Sequence, residues 1–312
     1  MTIFNGTELA ASQEAKLQEK VAAFEVKPHI AAILFTEDAG SRLYSELKKE
    51  AAERVGIQYD LLPFSLKDPT EKVLDTLKSL ATDTSVTGIM IQKPTQRTWA
   101  ASMGMEQGSE TKKAYSEWWQ TLVSVLAVEK DVDGLHPQTL EDIKNDIWIQ
   151  KKRALPATCQ AVLEILSVYC MSIKHEVKKT GPSYIRVLQP LASKKIIILG
   201  KSDLLGKPLY YILHNEKFDV EMIGSKELEQ RVRDGLHLTD ADVIISATGR
   251  HHLIKGDMLK EGVAVIDVGE PKADVEFESV KEKAAFITPV PGGVGPMTVY
   301  CLLANSFKLI FL

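Results

Sequence analysis

The strongest strand pattern in the chain is the run Lys194-Lys-Ile-Ile-Ile-Leu-Gly200, which continues as Lys-Ser-Asp-Leu-Leu-Gly206-Lys-Pro208. A β-branched apolar run that ends in glycine and leads into a helical pattern is typical of a buried strand, a tight turn and a crossover helix. Apolar runs at 219–223, 242–246 and 263–268 predict further strands, and their spacing favours parallel pairing. This part of the chain is therefore predicted to be an α/β layer structure.

The residues that precede this run show the same alternation of helix and strand patterns. Ser41 is predicted to cap a helix over 41–55, and Gly56 stands where a helix C-terminal glycine is expected. The pattern loosens between 93 and 129 and again in the polar stretch 174–193. The other predicted elements before residue 174 are helices at 8–24, 70–81 and 159–171 and strands at 29–35, 57–64 and 87–92.

Length and composition limit the class of protein. The 312 residues are enough for two domains. With 38 basic and 42 acidic side chains and no long basic run, the chain is not expected to bind nucleic acid or an anionic membrane, so a small-molecule partner is predicted. The three cysteines lack metal or disulfide spacing, which indicates reduced thiols in a cytoplasmic compartment or an organellar matrix.

The turn that follows Gly200 is the first candidate site. A strand that ends in a small residue and opens into a helix presents backbone N–H groups, which can bind the pyrophosphate of a dinucleotide. The dinucleotide fingerprint GxGxxG is absent, however, and an ordinary tight turn also needs glycine. The turn alone therefore leaves both interpretations open.

The end of the next predicted strand bears on which dinucleotide would bind. This strand ends at Gly224-Ser225-Lys226, where no carboxylate is present to bind the ribose 2′-hydroxyl of NAD, and Glu221 comes too early. Ser225, Lys226 and Lys201 instead favour the 2′-phosphate of NADP, unless Lys226 is only a solvated loop residue.

A second candidate site lies in the first half of the chain. Tyr44 and Lys48 are four residues apart and share one helix face, where a ring can stack on a flat ligand and a desolvated lysine can exchange protons near neutral pH. The alternative is an ordinary amphipathic helix with Lys48 in water. Asp133, in the string Lys130-Asp-Val-Asp-Gly134, can point a carboxylate at a ligand or form an Asx turn. No histidine has metal-ligand spacing, so a catalytic metal is not expected.

The string Ile287-Thr-Pro-Val-Pro-Gly-Gly-Val-Gly-Pro-Met-Thr298 is the most unusual in the sequence. Three prolines and three glycines within eight positions predict a rigid loop whose backbone can approach a ligand closely, or else a purely structural corner. Thr298 is predicted to cap a helix that begins near Val299.

Taken together, these motifs resemble the bifunctional methylenetetrahydrofolate dehydrogenase/cyclohydrolase family over about residues 4–306. The pieces that carry the resemblance are 287–298, Lys130 to Gly134, Tyr44-x-x-x-Lys48, Ile91-Gln92-Lys93-Pro94, and Gly200-Lys-Ser with Gly206-Lys-Pro. The resemblance implies a folate-binding α/β domain at 1–150, completed by a C-terminal helix at 297–312, and a Rossmann-like NADP-binding domain at 151–296, with a cleft between them. It also implies a cytoplasmic homodimer of one-carbon metabolism that serves purine biosynthesis.

The resemblance further implies oxidation of 5,10-methylenetetrahydrofolate by NADP, then hydrolysis of the methenyl product to 10-formyltetrahydrofolate. Lys48 would transfer the proton in hydrolysis, Gln92 would orient Lys48, Tyr44 would stack on the folate and Asp133 would bind the pterin edge. The remaining substrate contacts would come from Ile91, Lys93, Pro291, Gly292, Gly293, Val294 and Gly295. The NADP contacts would come from Gly200, Lys201, Ser202, Ser225 and Glu270.

Several positions depart from the family pattern. Lys201 replaces an arginine, which removes a bidentate phosphate contact and leaves NAD as an alternative cofactor. Lys93 and Glu270 replace apolar residues, and strand alternation predicts that Lys93 points away from Gln92. The family's Pro-Cys-Thr-Pro is Pro156-Ala-Thr-Cys159 here, so the thiol is not expected to be catalytic. A monofunctional NAD-dependent dehydrogenase and a low-turnover folate-binding homologue remain as alternatives.

Overall fold

The computed structural model describes residues 1–173, 187–270 and 272–311. The chain divides into two compact units. The six-stranded unit consists of Met1–Ala11, Asp142–Ile147 and Pro156–Cys301, and the three-stranded unit consists of Ser12–Glu141, Trp148–Leu155 and Leu302–Leu312. Each unit contains a parallel sheet, which confirms the predicted α/β class.

The described helices and strands alternate along the chain. Up to residue 155 they are β1 (Thr2–Ile3), α1 (Gly6–Ala23), β2 (His29–Phe35), α2 (Ala39–Val55), β3 (Gln58–Phe64), α3 (Thr70–Thr82), β4 (Gly88–Gln92), α4 (Gln96–Ser102), α5 (Ser109–Val123) and α6 (Pro137–Lys144). From residue 156 they are α7 (Ala157–Ser172), β5 (Ile196–Leu199), α8 (Gly206–Asn215), β6 (Val220–Ile223), α9 (Ser225–Arg233), β7 (Val243–Ser246), β8 (Ala264–Asp267), α10 (Phe277–Lys281), β9 (Phe286–Ile287) and α11 (Val294–Leu309).

The three-stranded sheet has the order β3-β2-β4, and all its strands are parallel. β2 occupies the centre, with Ile30 paired to Tyr59 on one side and to Gly88 on the other. Its residues from Ile30 to Phe35 are buried, as expected of a strand that pairs on both edges and is covered on both faces. The carboxyl ends of β2 and β4 therefore lie side by side, and polar residues that follow them can meet.

The six-stranded sheet has the order β1-β9-β8-β7-β5-β6 and is parallel throughout. The Ile-rich run that dominates the sequence forms β5, which pairs with both β6 and β7, so all four of its residues are buried. β1 pairs with β9 at the edge of this sheet, and the sequence pattern did not predict this two-residue strand.

Most of the predicted elements are confirmed within one or two residues, and Gly56 ends α2 with a left-handed φ of 78°. Two predicted caps are wrong. Asp38 caps α2 instead of Ser41, whose backbone N–H donates to the Asp38 carboxylate. α11 begins at Val294, so Thr298 lies inside the helix and its hydroxyl donates to the carbonyl oxygen of Val294.

The two stretches without a clear pattern have different outcomes. Residues 93–129 contain the helices α4 and α5, whose aromatic side chains pack together; the ring centroids of Trp99 and Trp118, for example, are 5.7 Å apart. Residues 174–186 lie outside the described residues. The end of this stretch, 187–193, is described and contains a short 3-10 turn at Gln189–Leu191.

Asn305 provides a stability test for the three-stranded unit. Its buried amide donates to the carbonyl oxygens of Val132 at 3.0 Å and Leu155 at 2.9 Å. We expect Asn305→Ala to lower the free energy of unfolding by about 2–4 kcal/mol, because both acceptors lose a buried partner. Urea titration followed by tryptophan fluorescence measures the change, since all four tryptophans belong to this unit.

Gln18→Ala is the matched control, because the exposed amide of Gln18 also donates to a backbone carbonyl, that of Arg54, at 2.8 Å. Water can replace that bond, so the control should cost less than about 1 kcal/mol. Equal losses in the two variants would show that the Asn305 bonds do not stabilise the unit.

Candidate functional site

The beginning of α2 is tied to the segment that follows β4. The buried Asp38 carboxylate accepts hydrogen bonds from the backbone N–H groups of Ser41 at 2.8 Å and Thr95 at 2.9 Å. The Ser41 hydroxyl donates to the carbonyl oxygen of Lys93 at 3.2 Å. These bonds fix α2 against the carboxyl end of β4, and so they determine which side chains of the helix face the end of that strand.

Lys48 and Gln92 are brought together by this arrangement. The Lys48 ammonium donates to Oε1 of Gln92 at 2.9 Å, and only 3% of Lys48 is exposed. Its Nζ lies 4.9 Å from the centroid of the Tyr44 ring, one helical turn earlier, within the range of a cation–π interaction. The alternative interpretation, an amphipathic helix with Lys48 in water, is wrong. The three residues form a partly buried group with a cation, a neutral amide and an aromatic ring.

The segment that contains Asp133 runs beside β4. Asp131 makes a parallel bridge with Ile89, and the Val132 N–H donates to the Ile89 carbonyl oxygen at 3.3 Å. Asp131 forms the turn, because its buried carboxylate accepts from the backbone N–H groups of Leu135 and His136. Burial raises the pKa of Asp131 to about 7, although these hydrogen bonds oppose the shift. Asp133, two residues further on, is half-buried in the turn that follows.

The neighbours of Gln92 in sequence have different surroundings. Ile91 is buried in the core of the three-stranded unit, so its side chain belongs to the packing of β4. Lys93 is exposed, and its Nζ lies 5.5 Å from the ring centroid of Tyr115 and 4.9 Å from that of Trp119. Both rings belong to α5. The stretch 93–129, which had no clear sequence pattern, therefore contacts Lys93 through two aromatic side chains.

The loop at 291–295 belongs to the six-stranded unit and packs on the beginning of α1. The carbonyl oxygen of Gly292 accepts from the N–H groups of Gly6 at 2.9 Å and Thr7 at 3.2 Å. A Cβ atom on Gly6 would lie 1.8 Å from the carbonyl oxygen of Gly293, so only glycine fits there. Val294 and Gly295 form the first turn of α11. The loop is therefore held by backbone contacts, as its proline and glycine content predicts.

The turn after β5 is tight, and its two glycines are required by the backbone packed against them. Gly200 has a φ of 116°, and a Cβ atom there would lie 2.4 Å from the Ala247 carbonyl oxygen. A Cβ atom on Gly206 would lie 2.0 Å from the Gly200 carbonyl oxygen. The Ser202 hydroxyl accepts from the backbone N–H groups of Leu205 and Gly206. This tight turn leads into α8 and fits a pyrophosphate at the helix N-terminus.

The end of β6 carries a carboxylate that sequence reasoning missed. Glu227, in the first turn of α9, forms an ion pair with Lys201, and its Oε2 accepts from the Gly224 N–H at 3.1 Å. Positions 224–226 carry no acid, but the capping bond turns the Glu227 side chain back toward Gly224. The signal was present in the sequence as a glutamate three residues after the helix cap. Ser225 begins the helix beside it.

The other predicted residues of this unit lie at the end of β8 and in α7. Glu270 is exposed and follows Gly269, whose N–H donates to the buried carboxylate of Asp267 at 2.8 Å. Cys159 is buried, and burial raises the pKa of its thiol well above the usual range, which agrees with the expectation that it is not catalytic.

Neither a cluster of metal-ligating side chains nor a helix able to span a membrane occurs in the described part of the chain. Residues 1–173, 187–270 and 272–311 contain no group of three or more histidine, cysteine, aspartate or glutamate residues arranged to hold a metal ion. In the same ranges, no helix is both long and apolar enough to cross a membrane.

Parallel sheets with a tight glycine turn at the carboxyl end of a strand define the class of dinucleotide-binding α/β proteins. The model of the tetrahydrofolate dehydrogenase/cyclohydrolase catalytic domain matches residues 4–112, and that of the NAD(P)-binding domain of the same family matches residues 184–311. The chain belongs to the tetrahydrofolate dehydrogenase/cyclohydrolase family.

Relatives and solved structures agree with this assignment. The bifunctional protein FolD of Staphylococcus haemolyticus is 32% identical over 97% of this chain and 95% of its own length. The FolD structure from Campylobacter jejuni is 28% identical, with a TM-score of 0.78 and coverage of 99% and 98%. The Trypanosoma brucei FolD structure, complexed with NADP and an inhibitor, is 25% identical, with a TM-score of 0.79 and coverage of 99% and 97%.

Asp38 makes the attachment of α2 sensitive to pH. Burial would raise the pKa of Asp38, but hydrogen bonds from the Ser41 and Thr95 N–H groups and from the Thr95 and Thr98 hydroxyls outweigh it and lower the pKa to about 2. A carboxyl whose pKa is lower in the folded chain stabilises it above the unfolded pKa of about 4, and this contribution is lost as the pH falls toward 2.

We therefore expect Asp38→Asn to lower the free energy of unfolding by about 2 kcal/mol at pH 6 and by about half as much at pH 3. Urea titrations at the two pH values, followed by tryptophan fluorescence, measure the difference. Asp75→Asn, which alters an exposed carboxylate on α3, is the control and should have the same small effect at both. A cost for Asp38→Asn that does not depend on pH would contradict the assigned cause.

Proposed function

We propose that the chain oxidises 5,10-methylenetetrahydrofolate to 5,10-methenyltetrahydrofolate with NADP and hydrolyses this product to 10-formyltetrahydrofolate. The observation that carries the proposal is the buried Lys48 ammonium, which is bonded to Gln92 and lies over the Tyr44 ring. The family assignment and the FolD relatives, which are named as bifunctional, support both activities.

The hydride step depends on positioning. NADP, when bound, supplies the hydride acceptor. The chain contributes the rigid turn at Gly200 and Gly206, with Lys201, Ser202, Ser225 and Glu270 as the other proposed contacts. The NADP complex of the Trypanosoma brucei relative and the NAD(P)-binding domain model support this choice of dinucleotide. A side-chain acid or base is not required, because holding the reacting atoms close supplies most of the rate enhancement.

Hydrolysis of the methenyl group requires proton transfer, and we assign this role to Lys48. Burial disfavours the charged form of an amine, and a neutral amide partner such as Gln92 orients the amine without fixing a proton on it. A carboxylate in the same place would favour the protonated form. Tyr44 offers its ring face to the planar folate, and Asp133, in the turn that follows Asp131, is proposed to bind the pterin edge.

The other proposed substrate contacts involve the backbone more than side chains. We propose that Ile91 contributes through its backbone, since its side chain is buried, and that Lys93 offers a cation to the anionic folate. The loop from Pro291 to Gly295 would approach the substrate with its backbone. By family membership we also propose a cytoplasmic homodimer.

The Lys48→Met variant tests the assigned proton transfer. We expect it to lower methenyl hydrolysis at least about 100-fold, because general acid–base catalysis contributes on this scale, while the hydride step keeps most of its rate. Absorbance of the methenyl compound follows both steps, and thermal unfolding checks that the variant folds.

Lys49→Met is the matched control, since it makes the same change at the next position of α2 and should leave both rates near those of the wild type. Hydrolysis at the wild-type rate in Lys48→Met would refute the role of Lys48. Loss of both activities in Lys48→Met and Lys49→Met alike would show that α2 does not tolerate replacement of a lysine by methionine. The loss would then give no support to a specific role of Lys48.

A further inference from the structure

We propose that Glu227 determines cofactor specificity: it weakens the preference for NADP and allows NAD to serve as a second hydride acceptor. The inference rests on the proposed dehydrogenase function and deepens it. It concerns a residue that lies outside the contacts assigned above, and it follows from the position of Glu227 in the sheet, from its two bonds and from the charges around it.

The position is where a dinucleotide presents its adenosine ribose. β5 and β6 are adjacent parallel strands, with Leu199 paired to Ile223, so the residues that follow them lie together at one edge of the sheet. Lys201 comes two residues after β5, and Glu227 lies in the first turn of α9, directly after β6. In dinucleotide-binding α/β folds, an acid at this strand end accepts a hydrogen bond from the ribose 2′-hydroxyl, whereas a cation there accommodates a 2′-phosphate.

Both carboxylate oxygens of Glu227 have partners that hold the side chain at this edge. Oε1 is paired with the Lys201 ammonium, and Oε2 accepts from the Gly224 N–H at 3.1 Å. The hydrogen bond from Lys201 is the main cause that lowers the pKa of Glu227, so the carboxylate is ionised at neutral pH. The pair is nearly half exposed, with 43% of the Lys201 side chain and 48% of that of Glu227 accessible. A ligand can therefore reach both groups.

The charge balance explains the expected effect on specificity. Without Glu227, Lys201 and the exposed Lys226 would present two cations to a 2′-phosphate. Glu227 neutralises one of them and places a negative charge beside the phosphate, which carries about two negative charges itself. The remaining positive charge still attracts NADP, while the carboxylate gives the 2′-hydroxyl of NAD an acceptor. Discrimination between the two dinucleotides is thereby reduced.

The variant Glu227→Gln tests the proposal, because it removes the charge and keeps the size and the acceptor for Gly224. We expect the ratio of affinities for 2′-phospho-ADP-ribose and ADP-ribose to rise about tenfold in favour of the phosphorylated ligand, because the variant removes a negative charge that repels the 2′-phosphate. Titration calorimetry with these two ligands needs no turnover. The ratio of kcat/KM for NADP and NAD should move in the same direction.

Glu229→Gln is the matched control. It removes the same charge from the same helix, but Glu229 faces Arg250, at 3.4 Å, and not Lys201. Its effect on the ratio should be less than twofold. A Glu227→Gln ratio within twofold of the wild type, or an equal change in the two variants, would overturn the proposal, and so would a wild-type chain that binds neither ligand.

The double variant Glu227→Gln/Lys201→Met separates the ion pair from other causes. Because Glu227 acts both by neutralising Lys201 and by its own negative charge, removal of the lysine should reduce the gain in NADP preference; an undiminished gain would overturn the part assigned to the ion pair. Wild-type chain that binds the two ligands but oxidises no methylenetetrahydrofolate would instead refute the proposed function, and the binding ratios would still decide the role of Glu227.

Discussion

The candidate site of the three-stranded unit depends on the buried carboxylate of Asp38. This one side chain caps α2 through the Ser41 N–H and also accepts from the Thr95 N–H, beyond the end of β4. Lys48 lies nearly three helical turns from the cap. The direction of α2 at its beginning therefore determines the position of the Lys48 ammonium. The 2.9 Å bond to Gln92 is a consequence of that constraint.

The two polar pairs at the strand ends have opposite electrostatic character. Lys48 is buried beside a neutral amide, an arrangement that disfavours a fixed charge and suits a group that gains and loses a proton. Lys201 is nearly half exposed beside an ionised carboxylate, and such surface pairs add little to stability. Its consequence is therefore recognition: the pair sets the local charge that a dinucleotide meets. The small net charge of the chain hides both arrangements.

The sequence was sufficient for most of the strands and helices, because hydrophobic periodicity and the run that forms β5 reflect burial directly. It also identified Tyr44, Lys48 and Gln92, but a helix pattern alone could not decide whether Lys48 was buried, since that depends on the packing of α2 against β4. Asp38 and Glu227 were missed for a related reason. Each acts through a side chain that makes a capping bond at the beginning of a helix, so its contacts lie away from its position in the strand–helix pattern.

The central claim is that Lys48 transfers protons because it is buried and bonded to the neutral amide of Gln92, and the pH dependence of methenyl hydrolysis in Gln92→Glu tests it most directly. A carboxylate at this position favours the protonated form of Lys48. The account predicts that hydrolysis at neutral pH falls at least about tenfold and that its pH dependence moves to higher pH, while the hydride step is largely retained. Hydrolysis at the wild-type rate with an unchanged pH dependence would contradict it.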